Sequence, residues 1–175
     1  SAAEVNKLKT EKKVLIIVQQ NQLQNKTFTL PIGVDVYVAG QRNHYEVWNK
    51  NRIDSFYFDA ATQPDNVNVD NDKTLLWFKD ESKTMSEYAF QYFNARNFLD
   101  RLEAINEAAE NLTDKNAQAV LKAALKDSFY IIRARAIQSY NPTTLDEATE
   151  NTFVQLANTD PSSEVREQAI DALSG

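Results

Sequence analysis

Residues 101–105 read RLEAI, residues 133–137 read RARAI and residues 166–170 read REQAI. The pentad Arg-x-x-Ala-Ile therefore starts at Arg101, Arg133 and Arg166, with steps of 32 and 33 residues. A fixed period of that size is the sequence signature of stacked helix pairs. Alanine at the fourth position admits a closely packed neighbouring backbone, and isoleucine at the fifth fills a shared core. Each pentad then marks the helix that lines a seam between repeats, and neighbouring repeats bury one another.

Working outward from the pentads, the second half of the chain has the period of helices. Beyond Gly40 there is a single glycine, the terminal Gly175, and Pro142 and Pro161 fall between apolar-periodic segments, where helix boundaries belong. Val165, Ala169, Ile170 and Leu173 form one apolar stripe. Asp160 reads as an N-cap with Pro161 at the first helical position. Thr144 and Glu147 have the spacing of a capping box. The pattern predicts helices over residues 86–95, 97–110, 115–126, 128–140, 145–158 and 162–174, three pairs with a pentad in the second helix of each.

The first half has the period of strands. In FTLPIGVDVYV (28–38) the even positions Phe28, Leu30, Ile32, Val34, Val36 and Val38 are all apolar. Such alternation puts one face on a core and the other, with Thr29, Pro31, Gly33, Asp35 and Tyr37, toward water. Pro31 and Gly33 weaken a ladder and predict an edge position or a bulge. VLIIVQQ (14–20), HYEVWNK (44–50), RIDSFYFDA (52–60), VNVD (67–70) and TLLWF (74–78) complete six or seven short strands, the pattern of a small antiparallel β-sandwich. The expected organisation is an N-terminal tail over 1–12, a sandwich over 13–83 and a helical repeat domain over 84–175.

Charge follows the same division. Residues 1–83 carry 11 basic and 11 acidic side chains, whereas residues 84–175 carry 8 and 14, so the net −6 lies entirely in the second half. Such a surface repels phosphate backbones, which argues against nucleic acid as a partner. No apolar run approaches the ~20 residues that span a bilayer, so no membrane partner is expected. The polar start SAAEVNKLKTEKK is not read as a signal peptide. With no cysteine, disulfides and thiolate metal sites are excluded, and the compartment stays open.

Chemistry is hard to find. His44, in RNHYEVW, is the single histidine and reads as a hairpin surface residue. No His-Glu-x-x-His occurs, and zinc without cysteine needs several converging ligands. Asp70 and Asp72 in DNDK lack the rest of a calcium loop and read as a turn. Asp100, Glu103 and Glu107 share one helical face, the spacing of a solvated face and not of an acid/base pair. Trp48, Tyr57 and Trp77 have the chemistry of a carbohydrate floor, although aromatics in a small sandwich ordinarily belong to its core. No catalytic, cofactor or metal residue is assigned.

Two resemblances follow from these residues. Asp160, Val165 and Arg166 sit where HEAT-type repeats place Asp, Val and Arg, and Asp127, Ile132 and Arg133 match with one conservative change. In the first unit Ala95 stands at the aspartate position. The order sandwich-then-solenoid, with VLIIVQQ, FTLPIGVDVYV, RIDSFYFDAATQPDNVNVDNDKTLLWF and NARNFLDRLEAI, resembles the C-terminal part of aminopeptidase N-family zinc metallopeptidases (gluzincins). Pro64, Val67 and Asp70 match that family's Pro-x-x-Val-x-x-Asp-like segment. The resemblance implies a zinc-bearing catalytic domain upstream in the same polypeptide, acting on peptide substrates. It further implies a helical domain that helps enclose the substrate chamber. The family's zinc ligands, catalytic glutamate and Gly-x-Met-Glu-Asn-type segment map onto no residue of this chain. The alternative reading is a non-enzymatic HEAT-like module that binds a protein or peptide.

Overall fold

The computed structural model describes residues 2–23 and 26–174. In chain order the elements are α1 (Ala2–Glu11), β1 (Lys13–Gln19), β2 (Leu30–Val38), β3 (Gln41–Asn49), β4 (Ile53–Asp59) and β5 (Asn66–Val69). Then follow α2 (Met85–Asn94), α3 (Phe98–Glu110), α4 (Lys115–Ala124), α5 (Tyr130–Gln138), a 3-10 turn at Pro142–Thr144, α6 (Glu147–Thr159) and α7 (Ser163–Ser174). The fold is mixed, β then α, and the chain divides into two compact units, Ser1–Glu81 and Ser82–Gly175.

In the first unit β1 pairs antiparallel with β4, and a second antiparallel sheet has the order β3-β2-β5. The even face of β2 lands where its alternation requires. Ile32, Val34 and Val36 are buried with Val18 and Phe58 in one core shared by both sheets. The Tyr45 and Phe58 rings, 4.6 Å apart, join β3 to β4 across it. Two residues close the hairpin between β2 and β3, Ala39 (φ 50°) and Gly40 (φ 75°). Both have positive φ, as a tight hairpin turn with the right-handed twist of its strands demands.

Several sequence expectations are corrected here. The segment expected as a tail carries α1. Among the described residues there are five strands, not six or seven, because 74–78 joins no ladder. The odd face of β2 is not open to water, since Asp35 and Tyr37 are buried. Nor is β2 an edge strand or bulged. It pairs continuously with β3 from Leu30 to Val38 and with β5 from Val34 to Tyr37. Pro31 is tolerated because β5 stops short of it, leaving that side of the strand without a ladder. At Gly33 a Cβ would collide with the Asn71 side chain, while Asn71 N–H donates to the Gly33 carbonyl at 3.3 Å. Glycine is there for close approach.

The second unit follows the helical period closely. Thr84 and Glu87 form a capping box at α2, and the Asp114 carboxylate accepts from the N–H groups of Asn116 and Ala117 at α4. At α6 the cap is Asp146, accepting from Thr149 N–H, and not the expected Thr144–Glu147 box; the Thr144 side chain lies outside the described residues. Helix α3 packs on α5, α5 on α7 and α6 on α7. The pentad alanines Ala104, Ala136 and Ala169 are fully buried, as are Ile105 and Ile137. The third pentad departs, because Ile170 is 52% exposed. No helix among the described residues is long and apolar enough to cross a membrane.

Candidate functional site

The most heavily bonded polar arrangement is a series of arginine–aspartate pairs built by the pentads. Asp160 ends α6 and precedes α7 by three residues. Its carboxylate accepts from Arg133 Nε and Nη2, both at 2.7 Å, and from Ser162 N–H at 2.9 Å. Both partners are buried. Arg133 spends its remaining edge locally, Nη1 donating to the carbonyls of Asp127 (2.8 Å) and Ser128 (3.1 Å).

The pattern repeats on either side. Asp127 accepts from Phe129 N–H at 2.8 Å, from Tyr92 Oη at 3.1 Å and from Arg101 Nη2 at 3.4 Å. Arg101 Nε lies 3.0 Å from the same carboxylate but is misaligned for a hydrogen bond, so this pair is looser than Arg133–Asp160. Arg166 Nη1 donates to the carbonyls of Asp160 (2.7 Å) and Pro161 (3.2 Å), as Arg133 Nη1 does to those of Asp127 and Ser128. Neither aspartate is an N-cap. Phe129 holds that position at α5, and each carboxylate instead bonds the N–H two residues on, closing the turn that enters the helix. Proline at 161 leaves that N–H to Ser162, and α7 begins at Ser163.

The electrostatics agree with the geometry. The Arg133 hydrogen bonds, opposed by burial, hold the Asp160 carboxyl below the ordinary carboxylate range, and the same bonds raise Arg133. Burial first, and then Asp127, push the Tyr92 hydroxyl upward. Ion pairs of this type brace a fold. They offer no displaceable water-facing nucleophile.

The residues considered for chemistry do not converge. His44 is exposed on β3, as expected, yet its Nδ1 lies 2.8 Å from Oδ1 of the buried Asp35. Arg42 Nε donates to Oδ2 of the same carboxylate at 2.6 Å, and that bond raises Arg42. Asp70 is buried and accepts from Thr74 N–H, Leu75 N–H and Trp77 Nε1 at 3.1, 3.3 and 3.1 Å. It is a turn residue, as DNDK suggested, and one that organises the next seven positions. The face of Asp100, Glu103 and Glu107 is not solvated: Asp100 is buried and Glu103 accepts from the buried Gln91 at 2.9 Å. Trp48 and Tyr57 are exposed on different sheets, contrary to a core role, whereas Trp77 packs against the core. A groove of ≈ 420 Å³ beside Lys9, Lys12, Lys13 and Pro64 holds no nucleophile–base pair.

Among the described residues no group of three His, Cys, Asp or Glu side chains could hold a metal.

No family profile matches the chain, and no curated protein matches it in sequence. In solved structures it is similar to aminopeptidase A of Legionella pneumophila, crystallised in complex with aspartic acid, with a TM-score of 0.57 at 15% identity. The match covers 94% of this chain and 20% of that one. At that identity the likeness is one of fold. The chain spans about a fifth of the length of the aminopeptidase it matches.

Proposed function

We propose that this chain is a non-catalytic region of a zinc-dependent aminopeptidase, lying C-terminal to the catalytic domain in one polypeptide. On this reading residues 13–83 are a spacer sandwich. Residues 84–175 are a HEAT-like repeat domain of three helix pairs that helps enclose the chamber in which peptide substrates are cut. The observation that carries the reading is the fold likeness to an aminopeptidase along 94% of the chain, strands and helices together. It is supported by the sequence resemblance to gluzincin peptidases, carried by Pro64, Val67 and Asp70 among other residues. The bonding of Asp127 and Asp160 in equivalent turns supports the repeat assignment.

On this reading the zinc and the hydrolytic machinery belong to the upstream domain. The contribution of residues 84–175 is positioning: a wall that confines a peptide raises the fraction of encounters with correct geometry. Deleting residues 84–175 from the full polypeptide should therefore lower kcat/KM for peptides more than for a small aminoacyl amide, which needs no wall. Equal losses on both substrates, or none on either, would contradict the enclosing role.

A further inference from the structure

We infer that the turns joining α2 to α3 and α4 to α5 form one docking surface. Its occupant is an acidic segment of another protein, with an aromatic or long aliphatic side chain beside its carboxylates.

The two turns are neighbours at one end of the second unit. The Phe98 and Phe129 rings lie 4.8 Å apart, edge to face, and Tyr92 Oη donates to Asp127 at 3.1 Å. Phe129 stands 5.6 Å from Tyr130, and Phe93 stands 5.1 Å from Tyr92. In this linked cluster Phe93 is 57% exposed, Leu99 45%, and Phe129 and Tyr130 39% each. Single apolar side chains on a surface are ordinary, whereas a contiguous group of rings from adjoining turns marks a contact site. The repeat does not demand the rings. Counted back from the pentad arginines, Tyr130 is equivalent to Ser163 and Phe129 to Ser162. The turn between α6 and α7 thus holds the tighter Arg133–Asp160 pair with serines in those places. Rings left half in water forgo hydrophobic free energy that an occupant would recover.

Charge selects the occupant. Arg96 stands between Phe93 and Phe98 in the first turn, and Lys126 precedes Phe129 in the second. Both are exposed, and among the described residues neither side chain has a partner. The carboxylates nearest in sequence are already engaged, since Asp127 pairs with Arg101 and Asp100 is buried. Two free cations beside the rings stand out in residues 84–175, which carry 14 acidic side chains against 8 basic ones. A basic segment would meet Arg96 and Lys126 as like charges, and an acidic one is complementary to them. The net charge of the unit repels a phosphate backbone, which leaves an acidic polypeptide.

The probe is a capped peptide, Glu-Glu-Phe-Glu-Glu-Leu, titrated into the 175-residue chain and followed by backbone amide chemical shifts. Saturable shifts confined to residues 93–99 and 126–130 are expected. Lys-Lys-Phe-Lys-Lys-Leu and Glu-Glu-Ser-Glu-Glu-Ser should bind far more weakly. Arg96→Glu combined with Lys126→Glu should weaken the acidic peptide about tenfold or more and let the basic peptide bind instead. Both changes are on exposed side chains, so this variant should melt as the parent does. Salt at about 0.5 M should weaken binding to the parent several-fold. Phe129→Ser with Tyr130→Ser, the residues found in the third turn, should abolish the shifts. No saturable shift at millimolar peptide, shifts centred elsewhere, or an affinity unmoved by the charge reversal would overturn the inference. So would a 175-residue chain that sediments as a dimer and becomes a monomer on the charge reversal, since the occupant is then a second copy.

Discussion

On Asp160 one carboxylate takes two bonds from Arg133 and one from the entry turn of α7. Removing it strands a buried guanidinium, so Asp160→Ala should cost about 3 kcal/mol, well above the ~1 kcal/mol of a simple lost cap. The carboxyl is held below its ordinary value by Arg133. The unfolded chain, with an Asp pKa of ~3.9, thus binds the proton more readily than the folded one. The stabilisation is complete above about pH 4 and is lost as pH falls through the folded value. Melts of the parent and Asp160→Asn should differ most near neutrality and converge in acid; a gap that stays constant to low pH would count against the pair. At Ala39, with φ 50°, the left-handed conformation costs an alanine roughly 1 kcal/mol. Ala39→Asn should recover part of that and raise the melting temperature, and a lowered one would speak against this turn.

Among the elements, residues 70–78 separate what alternation reports from what a ladder requires. Leu75 and Trp77 pack on the core while Leu76 and Phe78 are fully exposed, and the sequence reading of TLLWF went no further than a short strand. It predicted a strand that is absent because Asp70 takes the N–H groups of Thr74 and Leu75 that a neighbouring strand would have used. Asp70→Ala should destabilise the first unit by about 2 kcal/mol, the scale of lost bonds to a charged group. Near-ultraviolet circular dichroism should register the release of Trp77, and an unchanged Trp signal would contradict the assignment. Hydrophobic period was enough to read β1, β2, β4 and all six helices of the second unit, because side-chain burial follows backbone geometry. Long-range polar pairing was less legible. Asp35 looked solvent-facing because Arg42 and His44 reach it across the hairpin, and Asp100 looked solvated because composition does not reveal the packing that buries it. The Arg–Asp pairing left a trace in the recurrence of 32 and 33 residues, which located both partners but placed Asp160 one role away, as an N-cap.

At the scale of the whole molecule, a β unit and an α unit each keep a core of their own. The polar groups that bind most tightly brace these units and are already satisfied. That distribution suits the supporting role proposed above. The same account treats the net −6 of residues 84–175 as the surface charge of that support. The most direct measurement is hydrolysis of an alanyl or leucyl amide, with and without a zinc chelator, by these 175 residues and by the full polypeptide. The account predicts no turnover by the 175 residues and chelator-sensitive turnover by the full polypeptide. Turnover by the 175 residues alone, or a full polypeptide whose activity is absent or indifferent to the chelator, would contradict it.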